Sequence, residues 1–322
     1  MRIAVTGATG YIGGRLIPRL IEAGHEVVCL VRNPAKLDGD LWRDQVEVVR
    51  ADVLERESLD RALQGCDAAY YLVHSMGGGS GFAGKDQQGA RNFAAAAEAE
   101  GVGRVIYLGG MGSGEEELSP HLRSRHEVGE TLAGGSTPVT ELRAAVVIGS
   151  GSISFEMLRY LTEVLPVMVT PRWVETKSQP VAIRDVLGYL VGALNDEPGS
   201  HVYEIGGPDI VSYRDMMQHY AEVAGLPRRL ILGVPVLSPS LSSRWVGLVT
   251  PLDPKVARPL VDSLRNEVVV RNATPPDEWG VEPTPLRKAM KLALQRYADA
   301  EVVTRWTDAS SSPALPFSTD PE

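Results

Sequence analysis

TGATGYIG, residues 6–13, follows an apolar segment over residues 2–5 and precedes a segment with the apolar spacing of a helix. In such a strand–turn–helix, Gly7 allows the tight bend, Gly10 lets backbone N–H groups approach a pyrophosphate, and Gly13 lets the helix pack closely on the strand. The positive N-terminal end of the helix then favours bound phosphate. The stretch therefore predicts a dinucleotide site. Its cofactor-binding residues are predicted to be Gly7, Thr9, Gly10, Tyr11, Ile12 and Gly13.

The bulk composition is that of an ordinary soluble globular protein, with 43% hydrophobic and 23% charged residues. A chain of 322 residues exceeds the usual size of one core, so we expect a nucleotide domain with a smaller second lobe. The 32 Lys and Arg residues against 41 Asp and Glu residues give a net charge of −9. Binding to a phosphate backbone needs a basic face, so we expect no nucleic-acid partner.

Cysteine usage and hydropathy indicate a cytoplasmic protein. Cys29 and Cys66 lie within or beside predicted strands and are too few for a disulfide framework or a metal cluster. We expect two buried thiols and no metal site. We expect no leader before the first predicted strand and no transmembrane helix, because no apolar run approaches the roughly 18 residues that such a helix needs. A homo-oligomer is possible, but nothing in the sequence indicates one.

Strand-like and helical patterns alternate along the first half of the chain, which predicts a Rossmann-type, doubly wound parallel sheet of the α/β class. The predicted strands cover residues 2–5, 26–31, 46–49, 68–73, 104–108 and 141–148, and later helices are predicted over 86–100, 121–133, 155–165, 185–195, 213–224 and 285–298. Pro18 lies inside the first helix, where proline costs roughly 3 kcal/mol and usually produces a kink.

Prolines become denser after residue 150, which marks the change to a second lobe. We assign residues 1–150 to the NAD(P)-binding domain, 151–300 mainly to a substrate lobe, and 301–322 to an extended or disordered tail. The apolar segment 230–261 has three open interpretations: it covers a substrate cleft, lies on a lipid surface, or packs on the core.

The end of the second predicted strand decides which nicotinamide cofactor is expected. An acidic residue there binds the ribose 2′-hydroxyl of NAD, whereas an arginine accepts the 2′-phosphate of NADP. Here the strand ends at Arg32, and no carboxylate occurs before Asp38. This favours NADP(H) over NAD(H), the alternative being that Arg32 is a solvated strand-end charge. Asp52 and Val53, after the third strand, are placed beside the adenine, the alternative for Asp52 being a helix cap.

With these residues the chain resembles the extended and atypical short-chain dehydrogenases/reductases, including NmrA-like proteins and an accessory subunit of respiratory complex I. The likeness covers roughly residues 1–300 and includes the glycine turn, Arg32, the fourth-strand end over 71–76 and the fifth strand over 105–110. It implies that Val73, His74 and Ser75 contact the cofactor. It also implies that residues 180–206 return the chain to the main sheet.

The resemblance breaks at the catalytic residues. Active members carry a serine after the fifth strand and a Tyr-x-x-x-Lys on the next helix, in which tyrosine donates the proton. Here the tyrosine position falls on His121 and the lysine position on Arg125. In one explanation His121 is the proton donor and Arg125 holds the nicotinamide ribose; a nearby cation would then keep the imidazole pKa at or below about 6.5. In the other, the protein binds NADP(H) without catalysis, as a sensor or an assembly or regulatory protein.

The resemblance also implies the substrate-binding residues, which are Met111, Ser152, Phe155 and Trp173. An apolar cleft with few charges indicates a small, apolar carbonyl, enone or quinone-like substrate. The sequence thus favours an NADP(H)-dependent oxidoreductase, with the catalytically silent protein as the alternative.

Overall fold

The computed structural model describes residues 1–73, 82–112, 118–234, 261–298 and 304–305. His74 and Ser75, predicted to contact the cofactor, lie outside these ranges. So do most of the apolar segment 230–261 and all of the predicted tail except Thr304 and Arg305.

A parallel sheet of seven strands forms the centre of the part that the structure describes, in the order β11-β6-β5-β4-β1-β2-β3. Its five central strands are buried on both faces, as their continuous apolar runs require, whereas the edge strands β3 and β11 are partly exposed. The strands are β1 (Arg2–Thr6), β2 (Glu26–Val31), β3 (Glu47–Arg50), β4 (Ala68–Tyr71), β5 (Arg104–Gly110), β6 (Val139–Ala144) and β11 (His201–Ile205).

Helices cover both faces of this sheet, which confirms the predicted Rossmann-type α/β fold. On one face, α1 (Gly13–Glu22) packs beside α6 (Ile183–Gly192), and on the other lie α2 (Arg56–Leu63), α3 (Phe82–Ala99) and α4 (Pro120–Ala133). Pro18 lies within α1, which continues past it to Glu22.

A second hydrophobic core lies beyond the carboxyl ends of these strands. It is built from α5 (Ile153–Val164), α7 (Tyr213–Val223) and α8 (Leu286–Ala298), together with three two-stranded pairs. These pairs join β7 (Val147–Ile148) with β10 (Val181–Ala182), β9 (Lys177–Ser178) with β12 (Val211–Ser212), and β8 (Val167–Pro171) with β13 (Leu230–Val234).

Two features differ from the expectations. The strand predicted over 141–148 is broken after Ala144, because Val147 and Ile148 leave the main sheet to pair with Val181 and Ala182. Within the predicted tail, Thr304 is 7% exposed and is hydrogen-bonded to the glycine turn. Within residues 180–206, β11 joins the main sheet by pairing in parallel with β6, whereas β10 pairs with β7 outside it.

Candidate functional site

The glycine turn between β1 and α1 has the geometry that its sequence predicts. Gly7 has φ of +71°, and a Cβ atom there would lie 2.6 Å from the Leu72 carbonyl oxygen. At Gly13, a Cβ atom would collide with the Gly7 carbonyl group. The Gly10 N–H donates to the Gly7 oxygen at 2.9 Å. Glycine is therefore required at position 7 by its positive φ and the Leu72 carbonyl group, and at position 13 by the Gly7 carbonyl group.

Thr6 fixes the turn against the neighbouring strand end. Its Oγ1 donates to the Tyr70 carbonyl oxygen at 2.9 Å and accepts from the Leu72 N–H at 3.0 Å. Both partners belong to β4 or follow it directly. The turn, Leu72 and Val73 thus form one edge at the carboxyl ends of the strands, where ligands bind in open α/β sheets.

Arg32 and Asp52 lie at the ends of neighbouring strands on the far side of the turn. Arg32 is exposed at the end of β2. Asp52 is partly buried after β3, and its Oδ1 accepts from the Leu54 N–H at 3.0 Å. The residue that caps α2 is Glu55 rather than Asp52. Val53, the other predicted adenine contact, accepts a hydrogen bond at its carbonyl oxygen from Asn92 Nδ2 at 2.9 Å.

A cavity of about 330 Å³ extends from the glycine turn, across the ends of β4 and β5, to α5 and α7. It brings together residues predicted from distant parts of the sequence. The predicted site residues that line it are Gly7, Gly10, Tyr11, Ile12, Gly13, Val73, Met111, His121, Arg125, Ser152 and Trp173.

His121 and Arg125 lie on α4 and both line the cavity. The Arg125 guanidinium donates to the Leu108 carbonyl oxygen at the end of β5, and its Cζ lies 5.9 Å from the centre of the Tyr107 ring. The Tyr107 hydroxyl donates in return to the Arg125 carbonyl oxygen at 3.0 Å. These contacts fix the helix against the strand and hold Arg125 at the cavity wall.

Tyr107 is a cavity-lining residue that the sequence did not single out. Burial raises its pKa to about 12, so the phenol stays protonated at neutral pH. An aromatic residue inside an apolar strand is typical of a core position, so the pattern carried no signal of a site. His126 on α4 is also buried, with Nε2 3.0 Å from the Gly110 oxygen, and burial together with nearby Arg143 lowers its pKa.

The half of the cavity lined by residues after position 150 is mostly apolar. Among the described residues that line this half, none is charged. They come from α5, α7 and the segments around residues 173 and 264. They are Ser152, Ile153, Ser154, Met157, Leu158, Leu161, Trp173, Tyr213, Met216, Met217, Ser263, Leu264 and Val268.

Phe155 does not lie where a substrate contact was predicted. Its side chain is fully buried in the second core, 5.9 Å from the Tyr220 ring in an edge-on arrangement. It is not among the residues lining the cavity. On the same helix, Met157, Leu158 and Leu161 face the cavity instead, so the helix contributes a different face from the one expected.

Within the described ranges, no group of three or more His, Cys, Asp and Glu side chains could hold a metal ion. No helix there has the length and apolarity needed to cross a membrane. Both cysteines are free and buried, and burial raises the pKa of the Cys29 thiol to about 12.

Residues 7–147 match the family described as NAD(P)H-binding. One relative in Streptomyces griseus, a (4-alkanoyl-5-oxo-2,5-dihydrofuran-3-yl)methyl phosphate reductase, is 28% identical over 252 residues. The alignment covers 76% of this chain and 81% of that protein.

Two solved structures share the fold. A nucleoside-diphosphate-sugar epimerase from Staphylococcus aureus has a TM-score of 0.70 at 17% identity, covering 90% of this chain and all of that one. The triphenylmethane reductase of Citrobacter sp., solved with NADP(H), has a TM-score of 0.69 at 22% identity, covering 91% of this chain and all of that one. Epimerases and reductases both use this fold, so the fold alone does not select between them.

Proposed function

We propose that this protein is an NADPH-dependent reductase, starting from the match of residues 7–147 to the NAD(P)H-binding family and from a fold shared by epimerases and reductases. We propose further that its substrate is a small, neutral, apolar carbonyl, enone or quinone-like compound. The observation that carries the proposal is that one cavity is lined by the glycine turn, by His121 and Arg125, and by an uncharged wall on α5 and α7.

The glycine turn supports dinucleotide binding because it packs closely on the end of β4 and on the start of α1, with no room for side chains at Gly7 and Gly13. A pyrophosphate bound there would lie at the N-terminal end of α1. The exposed Arg32, at the next strand end, supports a preference for NADPH because a guanidinium pairs with a phosphate in a bidentate manner.

NADPH, when bound, supplies a hydride to the substrate. The chain's own residues would then provide the proton, the positioning and a dry environment. His121 would donate the proton to the oxygen that gains negative charge, since an imidazole titrates near neutral pH. Arg125, held by the Leu108 carbonyl, would orient the ribose. The apolar residues on α5 and α7 would exclude water from the reacting groups.

The uncharged wall also supports the substrate class. Sugar nucleotides carry phosphate charges and many hydroxyl groups, which need cationic and hydrogen-bonding partners. Among the described residues of the uncharged wall, the polar groups are the hydroxyls of serines 152, 154 and 263, the Tyr213 hydroxyl and the Trp173 indole. The remaining side chains there are aliphatic or methionine. The relative in Streptomyces griseus is named as a reductase, which supports reduction rather than epimerisation, although its named substrate carries a phosphate group.

Oxidation of NADPH in the presence of quinones, enones and aromatic aldehydes tests the proposal. We expect turnover with at least one class, and none with a UDP-sugar. Tight NADPH binding with no turnover across the panel, together with a co-purifying protein partner, would instead support a cofactor-binding sensor or assembly protein.

A further inference from the structure

Thr304 occupies a slot beside the glycine turn, although it is nearly 300 positions away in the sequence. Its side chain is buried, and its Oγ1 donates to the Tyr11 carbonyl oxygen at 3.0 Å. Its own carbonyl oxygen accepts from Arg15 Nη2 at 3.1 Å. Tyr11 belongs to the turn, and Arg15 lies in the first part of α1. A late segment of the chain thus contacts both parts of the predicted pyrophosphate site.

Two glycines form the walls of this slot. A Cβ atom on Gly14 would come within 2.8 Å of Thr304 Cγ2. Gly151 has φ of +79°, and a Cβ atom there would collide with the Thr304 carbonyl oxygen. Neither glycine could carry a side chain with Thr304 in place. The close fit indicates that Thr304 packs at a specific site rather than making an incidental surface contact.

The same slot connects the turn to the entrance of the second lobe. Arg15 Nη2 also donates to the Ser150 carbonyl oxygen at 2.8 Å. The Gly151 N–H donates to the hydroxyl of Tyr297, on α8, at 2.6 Å. Ser152, the next residue, lines the cavity. Thr304 therefore bridges the cofactor turn and the loop that begins the substrate wall.

We propose that Thr304 is a positioning residue that holds the glycine turn in its dinucleotide-binding conformation. The inference rests on the NADPH-binding part of the proposed function. With Thr304 in place, the Tyr11 carbonyl and the start of α1 are ordered before the cofactor arrives. Without it, only a fraction of molecules has the competent turn, and the apparent affinity falls by that fraction.

Titration of NADPH fluorescence with matched variants tests this role. Thr304→Val keeps the shape but removes the hydroxyl, and we expect the NADPH Kd to rise about three- to tenfold, the range of one lost neutral hydrogen bond. Thr304→Ser keeps the donor, and its NADPH Kd should stay within about twofold of the wild-type value, below that range. Thr274→Val, at an exposed position, is the control and should leave the Kd unchanged.

Gly14→Ala tests the same contact by changing the glycine that faces Thr304. The new methyl group would meet Thr304 Cγ2, so this variant should also bind NADPH more weakly. Adding Thr304→Ser removes Cγ2 and should restore much of the affinity. Independent, additive effects of the two changes would contradict direct contact between positions 14 and 304.

Hydrogen exchange of the cofactor-free protein supplies a readout that does not depend on NADPH. Thr304→Val should speed exchange in peptides covering residues 7–16, and Thr274→Val should not. Unchanged exchange there would overturn the inference. If the wild type binds no dinucleotide, the proposed function fails, whereas the exchange result still decides whether Thr304 orders the turn.

Discussion

Two arginines were predicted to contact the cofactor, and their surroundings differ. Arg125 is held at the cavity wall by the Leu108 carbonyl oxygen and lies over the Tyr107 ring. Arg32 is exposed at the end of β2. An arginine held in this way is suited to positioning a ribose, whereas an exposed guanidinium is free to move and pair with a phosphate when the cofactor binds. The same residue type thus has two expected roles, which only the surroundings distinguish.

Arg32→Ala should therefore reduce the preference for NADPH. Loss of a charge-assisted contact to the 2′-phosphate is expected to weaken NADPH binding about ten- to hundredfold and to leave NADH binding nearly unchanged. Calorimetric titration of both cofactors measures this. Arg19→Ala, on the exposed side of α1, is the control. A wild type that binds both cofactors equally would show the assignment to be wrong.

His121→Phe should remove most turnover while NADPH affinity stays nearly intact. General acid catalysis typically contributes about 10²–10⁴-fold, so we expect kcat to fall by that order. His25→Phe, outside the cavity, provides the comparison. Steady-state rates across pH 5–9 check the role as well, because a protonated donor is lost as pH rises. A variant with the wild-type rate and pH profile would place the proton source elsewhere.

At the scale of whole elements, strands and helices of the first half follow the sequence closely because burial on one or both faces sets their periodicity. The pairing of strands with one another, in contrast, is not set by this periodicity. The break after Ala144 and the pair of β8 with β13 depend on partners far along the chain. The sequence also did not reveal that α7 lines the cavity, because Met216 and Met217 have the spacing of ordinary core residues. Only the tertiary structure separates a cavity wall from a core.

Met217→Trp should narrow the apolar half of the cavity. Among substrates turned over by the wild type, we expect the KM of the bulkiest to rise about tenfold or more, the discrimination typical of a crowded apolar pocket. The NADPH Kd should not change, because none of the predicted cofactor-binding residues lies on α7. Leu292→Trp, on the exposed face of α8, controls for added bulk. An unaffected KM would mean that substrates do not enter this half.

At the scale of the whole molecule, a buried polar cluster joins three strands at the edge of the sheet opposite the site. Asp196 is fully buried at its side chain. It accepts hydrogen bonds from Thr140 Oγ1 at 2.7 Å, the Tyr203 hydroxyl at 2.9 Å and His201 Nδ1 at 3.0 Å, and Arg104 Nη1 lies 3.4 Å away. Burial alone would raise the Asp196 pKa, but these hydrogen bonds outweigh it and lower the pKa.

Because the Asp196 pKa is lower in the folded than in the unfolded protein, its stabilising contribution is complete above the unfolded pKa of about 3.9 and is lost as pH falls through the folded value. Asp196→Asn should lower the free energy of unfolding at pH 7 by about 1–3 kcal/mol. It should also flatten the loss of stability below about pH 5. Urea unfolding at several pH values measures both effects, with exposed Asp44→Asn as control. Equal acid sensitivity in wild type and variant would contradict the assignment.

The position of β11 has a consequence for how this protein is made. β6 is an edge strand until residues His201–Ile205 pair with Thr140–Ala144, and the intervening chain must be synthesised first. At roughly 5–20 residues per second on the ribosome, that edge strand stays unpaired for several seconds. During this time its backbone N–H and C=O groups can pair with other chains. Unprotected parallel edges are prone to aggregation, and closing a long loop slows folding. Expression of residues 1–150 alone should therefore yield aggregates, and nascent chains should depend on chaperones until residue 205 has emerged.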